Sequence, residues 1–131
     1  MILISPLLIQ GQVMDLFHGT RTPFDHFLSQ YYRTGEGVGN FTGWYFCDTL
    51  RGALVHCESY LRCNVGAGEG YILHCRIDEQ WIKHNVDAEY ADPIYGSPIY
   101  GVPLSASAEI VILDRMPARQ VFESLYGLIE L

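Results

Sequence analysis

Three observations on this chain predict an α+β fold. Strand-like and helix-like runs follow one another without the strict alternation that builds a parallel, doubly wound sheet. Glycine and proline punctuation cuts them into short elements. Hydrophobic residues make up 49% of the 131 and charged ones 18%, with no polar or repetitive tract, as in a globule that buries its own core. A single domain over residues 1–131 follows, with no internal repeat and no linker.

The opening MILISPLLIQG is apolar, but it lacks a basic start, is broken by Pro6 and is too short to span a bilayer. It reads as a buried or edge segment. Val13–His18 reads as a strand that Gly19 ends. Pro23 then opens PFDHFLSQYYR, where Phe24, Phe27, Leu28 and Tyr31 recur at helical spacing and predict a short helix. The glycines of TGEGVGN, residues 34–40, predict a mobile loop, either a plain connector or a flap beside a site.

GWYFC reads as the next strand. Asp48 or Thr49 caps the helix that follows, because DTLRGALVHCESYLRC carries Leu50, Ala53, Leu54, Cys57, Tyr60 and Leu61 on one stripe. After the turn NVGAGEG, the run YILHCRID alternates as a strand, with Tyr71, Leu73, Cys75 and Ile77 on one face. Residues 85–104, with Pro93, Pro98 and Pro103, read as mostly loop. EIVILD, residues 109–114, reads as a strand buried on both faces and stopped by Pro117, and the tail ARQVFESLYGLIEL fits helix or strand equally.

Charge narrows the function classes. The formal net charge is −7, and the eight Lys and Arg residues are scattered singly, which disfavours a duplex-binding surface. Four cysteines without an export signal read as reduced core thiols, so synthesis in the cytoplasm is expected, with delivery elsewhere by a specialised route left open. His56, Cys57, Cys63, His74 and Cys75 are zinc-compatible types, but no Cys-x-x-Cys pair exists and no metal site is expected. No cysteine sits in a setting recognisable as that of an activated nucleophile.

Two stretches carry the chemistry. LFHGT, residues 16–20, puts a histidine, a glycine and a threonine straight after an apolar run, and TGWYFCDT, residues 42–49, puts an aromatic triplet behind a glycine. The order FHGT at a strand end, GWYF before a helix containing Ala53, and a glutamate heading a strand in SASAEIVILD resembles the His-Tyr-Glu branch of the ADP-ribosyltransferase superfamily. Diphtheria toxin and the poly(ADP-ribose) polymerases belong to that branch, and the likeness is nearest to its small bacterial and phage domains. It covers roughly residues 14–116.

The resemblance implies two small, mainly antiparallel sheets split around an NAD cleft, with flanking helices. It implies that His18 contacts the ribose of NAD, that Gly19 holds the nicotinamide amide through its backbone, and that Thr20 supports that end of the site. Tyr45 would stack on the nicotinamide ring, with Gly52 and Ala53 nearby in the cofactor site. Glu109 would bond the nicotinamide ribose hydroxyl and stabilise the cation formed as nicotinamide leaves.

These residue types suit that chemistry. Breaking the glycosidic bond passes through an oxocarbenium-like state, which a carboxylate beside the sugar stabilises more than it does the ground state. An aromatic face against a pyridinium gains roughly 0.5–2 kcal/mol. The chain also departs from the pattern. Where polymerase-type members carry a serine before the helix alanine and a second stacking tyrosine after it, Gly52 and Val55 or His56 stand here. Ser107, two residues before Glu109, disfavours the arginine-modifying type.

The expected activity is therefore that of an NAD-dependent transferase of ADP-ribose, a glycosyltransferase with NAD as substrate. Its acceptor is expected to be a protein sooner than a nucleic acid, in a toxin-like or phage host-modifying setting where an immunity or other partner protein is a natural companion. Two alternatives stand beside it: an NAD glycohydrolase with water as acceptor, and a non-catalytic module that binds NAD, ADP-ribose or a partner.

Overall fold

The computed structural model describes residues 12–21, 24–31, 41–59, 70–84, 86 and 99–127. The opening apolar segment, the glycine-rich 34–40, most of the turn before residue 71 and residues 87–98 lie outside them.

Period-two alternation of apolar residues builds one antiparallel sheet. Its strands are β1 (Val13–Thr20), β2 (Gly43–Cys47), β3 (Tyr71–Asp78), β4 (Ile99–Pro103) and β5 (Val111–Pro117). Their spatial order is β4-β2-β1-β3-β5, with every neighbouring pair antiparallel. Two helices, α1 (Leu50–Ser59) and α2 (Ala118–Tyr126), complete an α+β fold.

The sheet has a seam. β1 pairs with β3 over its whole length and β2 pairs with β4 over all five residues, but β1 and β2 share the single register pair Phe17↔Cys47. The expected two sheets are thus one continuous sheet among the described residues, with halves β1-β3-β5 and β2-β4 held by a narrow junction.

The pleat sorts side chains onto two faces. One carries Leu16, His18, Trp44, Phe46, Leu73, Cys75, Ile77, Tyr100 and Val102, and is covered by Phe27, Ile82, Ala106 and Ile110 from irregular segments. The other carries Phe17, Cys47, Ile72 and Met116 under Ala53, Leu54, Ala118 and Val121 of the two helices. β3 therefore feeds both clusters, with Leu73, Cys75 and Ile77 on one face and Ile72 on the other, while Arg76 stays exposed.

Local chemistry sets the helix ends. Thr49 Oγ1 accepts the N–H of Gly52 at 2.9 Å, so Thr49 is the cap of α1. The tail is helical, and α2 ends where Gly127 turns to φ +81 and its N–H reaches the carbonyl of Glu123 at 2.7 Å.

Four expectations are corrected. Gly19 does not end β1, which runs on through Thr20, with the two residues paired to Ile72 and Tyr71. The helix predicted after Pro23 is absent among the described residues save for a 3-10 turn at Ser29–Tyr31. Arg115 explains this: it donates to the Phe24 carbonyl at 3.2 Å and pairs with Asp25 at 2.6 Å, holding that chain against β5 while Phe24 and Phe27 enter the core. The stretch read as loop up to 104 ends in β4, whose closing Pro103 is tolerated because β4 is an edge strand.

The fourth correction concerns the strand predicted at 109–114. It runs over Val111–Pro117 at the opposite edge and is mostly exposed, Val111 by 53% and Leu113 by 44%. Glu109 instead closes a 3-10 segment, Leu104–Glu109. No helix among the described residues is long and apolar enough to cross a membrane.

Candidate functional site

The seam between β1 and β2 is where three of the sequence-predicted residues, His18, Gly19 and Tyr45, gather. Phe17↔Cys47 is its one register pair, and one residue further along β1 the imidazole of His18 turns toward β2. Its Nδ1 lies 2.7 Å from the carbonyl oxygen of Tyr45. A carbonyl can only accept, so Nδ1 is the donor in this contact.

His18 is buried at 6% exposure in an aromatic box. Its ring centroid lies 5.2 Å from Phe27, 5.3 Å from Phe46, 6.1 Å from Trp44 and 6.5 Å from Phe24, and the Phe27 and Trp44 contacts are edge-on. Such contacts hold the ring plane and thereby the direction of both nitrogens.

Two residues beyond the register pair on either strand come Gly19 and Tyr45, which the pleat places on the face opposite the His18 ring. Tyr45 is buried and its hydroxyl donates to the Phe41 carbonyl at 2.9 Å. Gly19 and Thr20 are half-buried in the last pairs of β1.

Glu109 reaches this region indirectly. The segment Leu104–Glu109 crosses the face that carries His18, burying Ala106 and Ser107. Trp44 Nε1 donates to Ser107 Oγ at 2.7 Å, and that hydroxyl donates onward to the Leu104 carbonyl at 2.6 Å. The indole that walls the His18 box therefore also clips the segment ending in Glu109. Glu109 itself is exposed. In register, Val111 lies opposite Arg76, in the row of Asp15, so Glu109 heads β5 toward the start of β1, away from Gly19 and Thr20.

Gly52 and Ala53 are buried in the first turn of α1, with their N–H groups bonded to the Thr49 side chain and carbonyl. They pack α1 onto the sheet, and a place for them in a ligand site rests on the resemblance alone. The side chains of Val55 and His56 lie outside the described residues. Cys47 and Cys75 are free and buried, and burial pushes the Cys75 thiol well above its ordinary range, which keeps it protonated. Among the described residues no group of three or more His, Cys, Asp or Glu side chains stands together as metal ligands would.

Sequence reasoning missed two partners, Phe41 and Ser107. Phe41 lies outside the strand pattern, and a serine within SASAE gives no signal until the segment is seen folded against Trp44. Comparison with family models, with curated proteins and with solved structures finds no match.

Proposed function

We propose that this domain takes NAD as its substrate, breaks the nicotinamide glycosidic bond and passes ADP-ribose to an acceptor, a protein sooner than a nucleic acid. The observation that supports it is the seam: a histidine whose Nδ1 donates across it, followed by a glycine that shares a face with a tyrosine on the neighbouring strand.

On this reading the Nε2 lone pair of His18 accepts a ribose hydroxyl, while Gly19, free of a Cβ, lets the nicotinamide amide approach the backbone. The Tyr45 ring lies against the pyridinium. The bond between C1′ and the pyridinium nitrogen breaks heterolytically, and its electron pair leaves with neutral nicotinamide. Glu109, carried on the clipped segment, offers its carboxylate to the ribose cation. The acceptor's lone pair then closes on C1′ and the acceptor gives up a proton. Because nicotinamide is bonded directly to that ribose, stabilising the cation requires Glu109, which lies toward the other end of β1 from Gly19, to be brought to the sugar when NAD binds.

Solvent exposure of Glu109 favours a second reading in which water is the acceptor and the product is free ADP-ribose.

The test is incubation with NAD labelled on its adenylate half, comparing the native protein with Glu109→Ala in a cell lysate. Turnover should fall by about 10²–10³-fold in the variant with NAD affinity retained. A labelled macromolecule means transfer, and free ADP-ribose means hydrolysis. NAD binding without consumption means a binding module, and no NAD binding at all removes the reading.

A further inference from the structure

Phe41 has a seat built for it. A Cβ added at Gly43 would meet its ring at 2.6 Å, and one added at Gly101 would meet it at 2.5 Å. Real Cβ atoms do not approach so closely, so the edge of the ring fills space that only glycine leaves open at both positions. Gly101 is also the cross-strand partner of Tyr45 and itself offers it no side chain. Phe41 supplies the brace: its ring stands 5.6 Å from that of Tyr45, tilted by 54°, and its carbonyl accepts the Tyr45 hydroxyl at 2.9 Å. An aromatic laid over a glycine on an edge strand is a recognised way of pinning strand geometry. Lys83 exchanges both backbone hydrogen bonds with Gly101, at 2.7 and 2.9 Å, and holds that strand from the outside.

We infer that Phe41 is a positioning residue that sets the ring plane of Tyr45 and with it the recognition of a flat aromatic ring, which under the NAD reading, on which this rests, is nicotinamide. Both contacts of Phe41 with Tyr45 act on the one side chain whose proposed task depends on ring orientation. An offset or edge-to-face ring contact is sensitive to tilt, so a Tyr45 ring free to turn loses part of its attraction for a pyridinium. The phosphates and adenosine of the ligand do not depend on that plane.

Equilibrium titrations with NAD, nicotinamide and ADP-ribose separate the parts. Phe41→Leu should weaken nicotinamide and NAD binding by about tenfold, leave ADP-ribose binding unchanged, and be rescued by Phe41→Tyr. Gly101→Ala, whose Cβ would displace Val86 Cγ1 as well as the Phe41 ring, should weaken nicotinamide and NAD binding with ADP-ribose binding kept, and this selective loss decides the matter if Phe41→Leu does not fold. Equal weakening of all three ligands, or no change in any, overturns the role of Phe41 while the NAD reading stands. Native protein that binds none of the three overturns both.

Discussion

The imidazole of His18 hydrogen-bonds the backbone carbonyl of Tyr45, so the two residues read as partners in a site are also the closure of the seam beside its single register pair. The proposed catalytic role and a structural role thus fall to one side chain. His18→Phe keeps a ring in the box and removes the donor, leaving a buried carbonyl without it at a cost of about 1–3 kcal/mol. His18→Ala adds a cavity among Phe24, Phe27, Trp44 and Phe46 and should cost about 3–5 kcal/mol. Denaturant unfolding of the three proteins should rank native, Phe, Ala. An Ala variant as stable as the native protein would mean that the box does not depend on its histidine.

Trp44→Phe removes the indole N–H that holds Ser107 and retains an aromatic ring beside Phe27, whose centroid lies 4.9 Å away. Stability should fall by about 1 kcal/mol, and kcat should fall several-fold with KM for NAD little changed, because the segment ending in Glu109 loses its clip. Ser107→Ala should act alike. The double variant should be less impaired than the sum of the singles; full additivity in a double-mutant cycle would show that the two side chains act separately.

Acid stability offers a third check. Asp15 accepts from Arg76 Nε at 2.9 Å and lies 3.5 Å from His74 Nε2, a contact too long for a hydrogen bond. The Arg76 guanidinium, chiefly through its hydrogen bond, holds the Asp15 carboxyl below its ordinary value against the opposing effect of desolvation. A carboxylate with a lowered folded pKa contributes stability that is present above its unfolded value and is lost as pH falls through the folded one. Asp15→Asn should therefore flatten the stability profile below about pH 4 and change nothing in its shape near neutrality. An unchanged acid limb would show that the pair, exposed as it is, adds nothing.

What was legible in the sequence followed from strong local signals. The alternation of YILHCRID gave β3, and Thr49 ahead of an apolar stripe marked the start of α1. The two phenylalanines of PFDHF misled, since their helical spacing serves to drop both rings into one apolar box while Arg115 holds the backbone out of helix. β4 was hidden by Pro98 just ahead of it and by its own closing Pro103, which an edge position excuses. EIVIL looked like a doubly buried core strand because edge placement is a property of topology, invisible to composition. Of the candidate site, the pairing of His18 with Tyr45 follows from strand order. The clip through Ser107 and the seat of Phe41 arise from contacts between distant segments and leave no local pattern.

The narrow junction at Phe17 and Cys47 has a further consequence. The chain visits the two halves of the sheet in turn, β1 in one, β2 in the other, then β3, β4 and β5, crossing the seam at each of the four steps between successive strands. The halves are laced together by the covalent chain itself, as the two sides of a boot are by its cord. Neither half is a contiguous stretch that could fold first and wait for the other, so assembly must close long loops before it is rewarded and should be slow for a chain of this size. The same lacing means that the seam can be sparing in hydrogen bonds without the sheet coming apart along it.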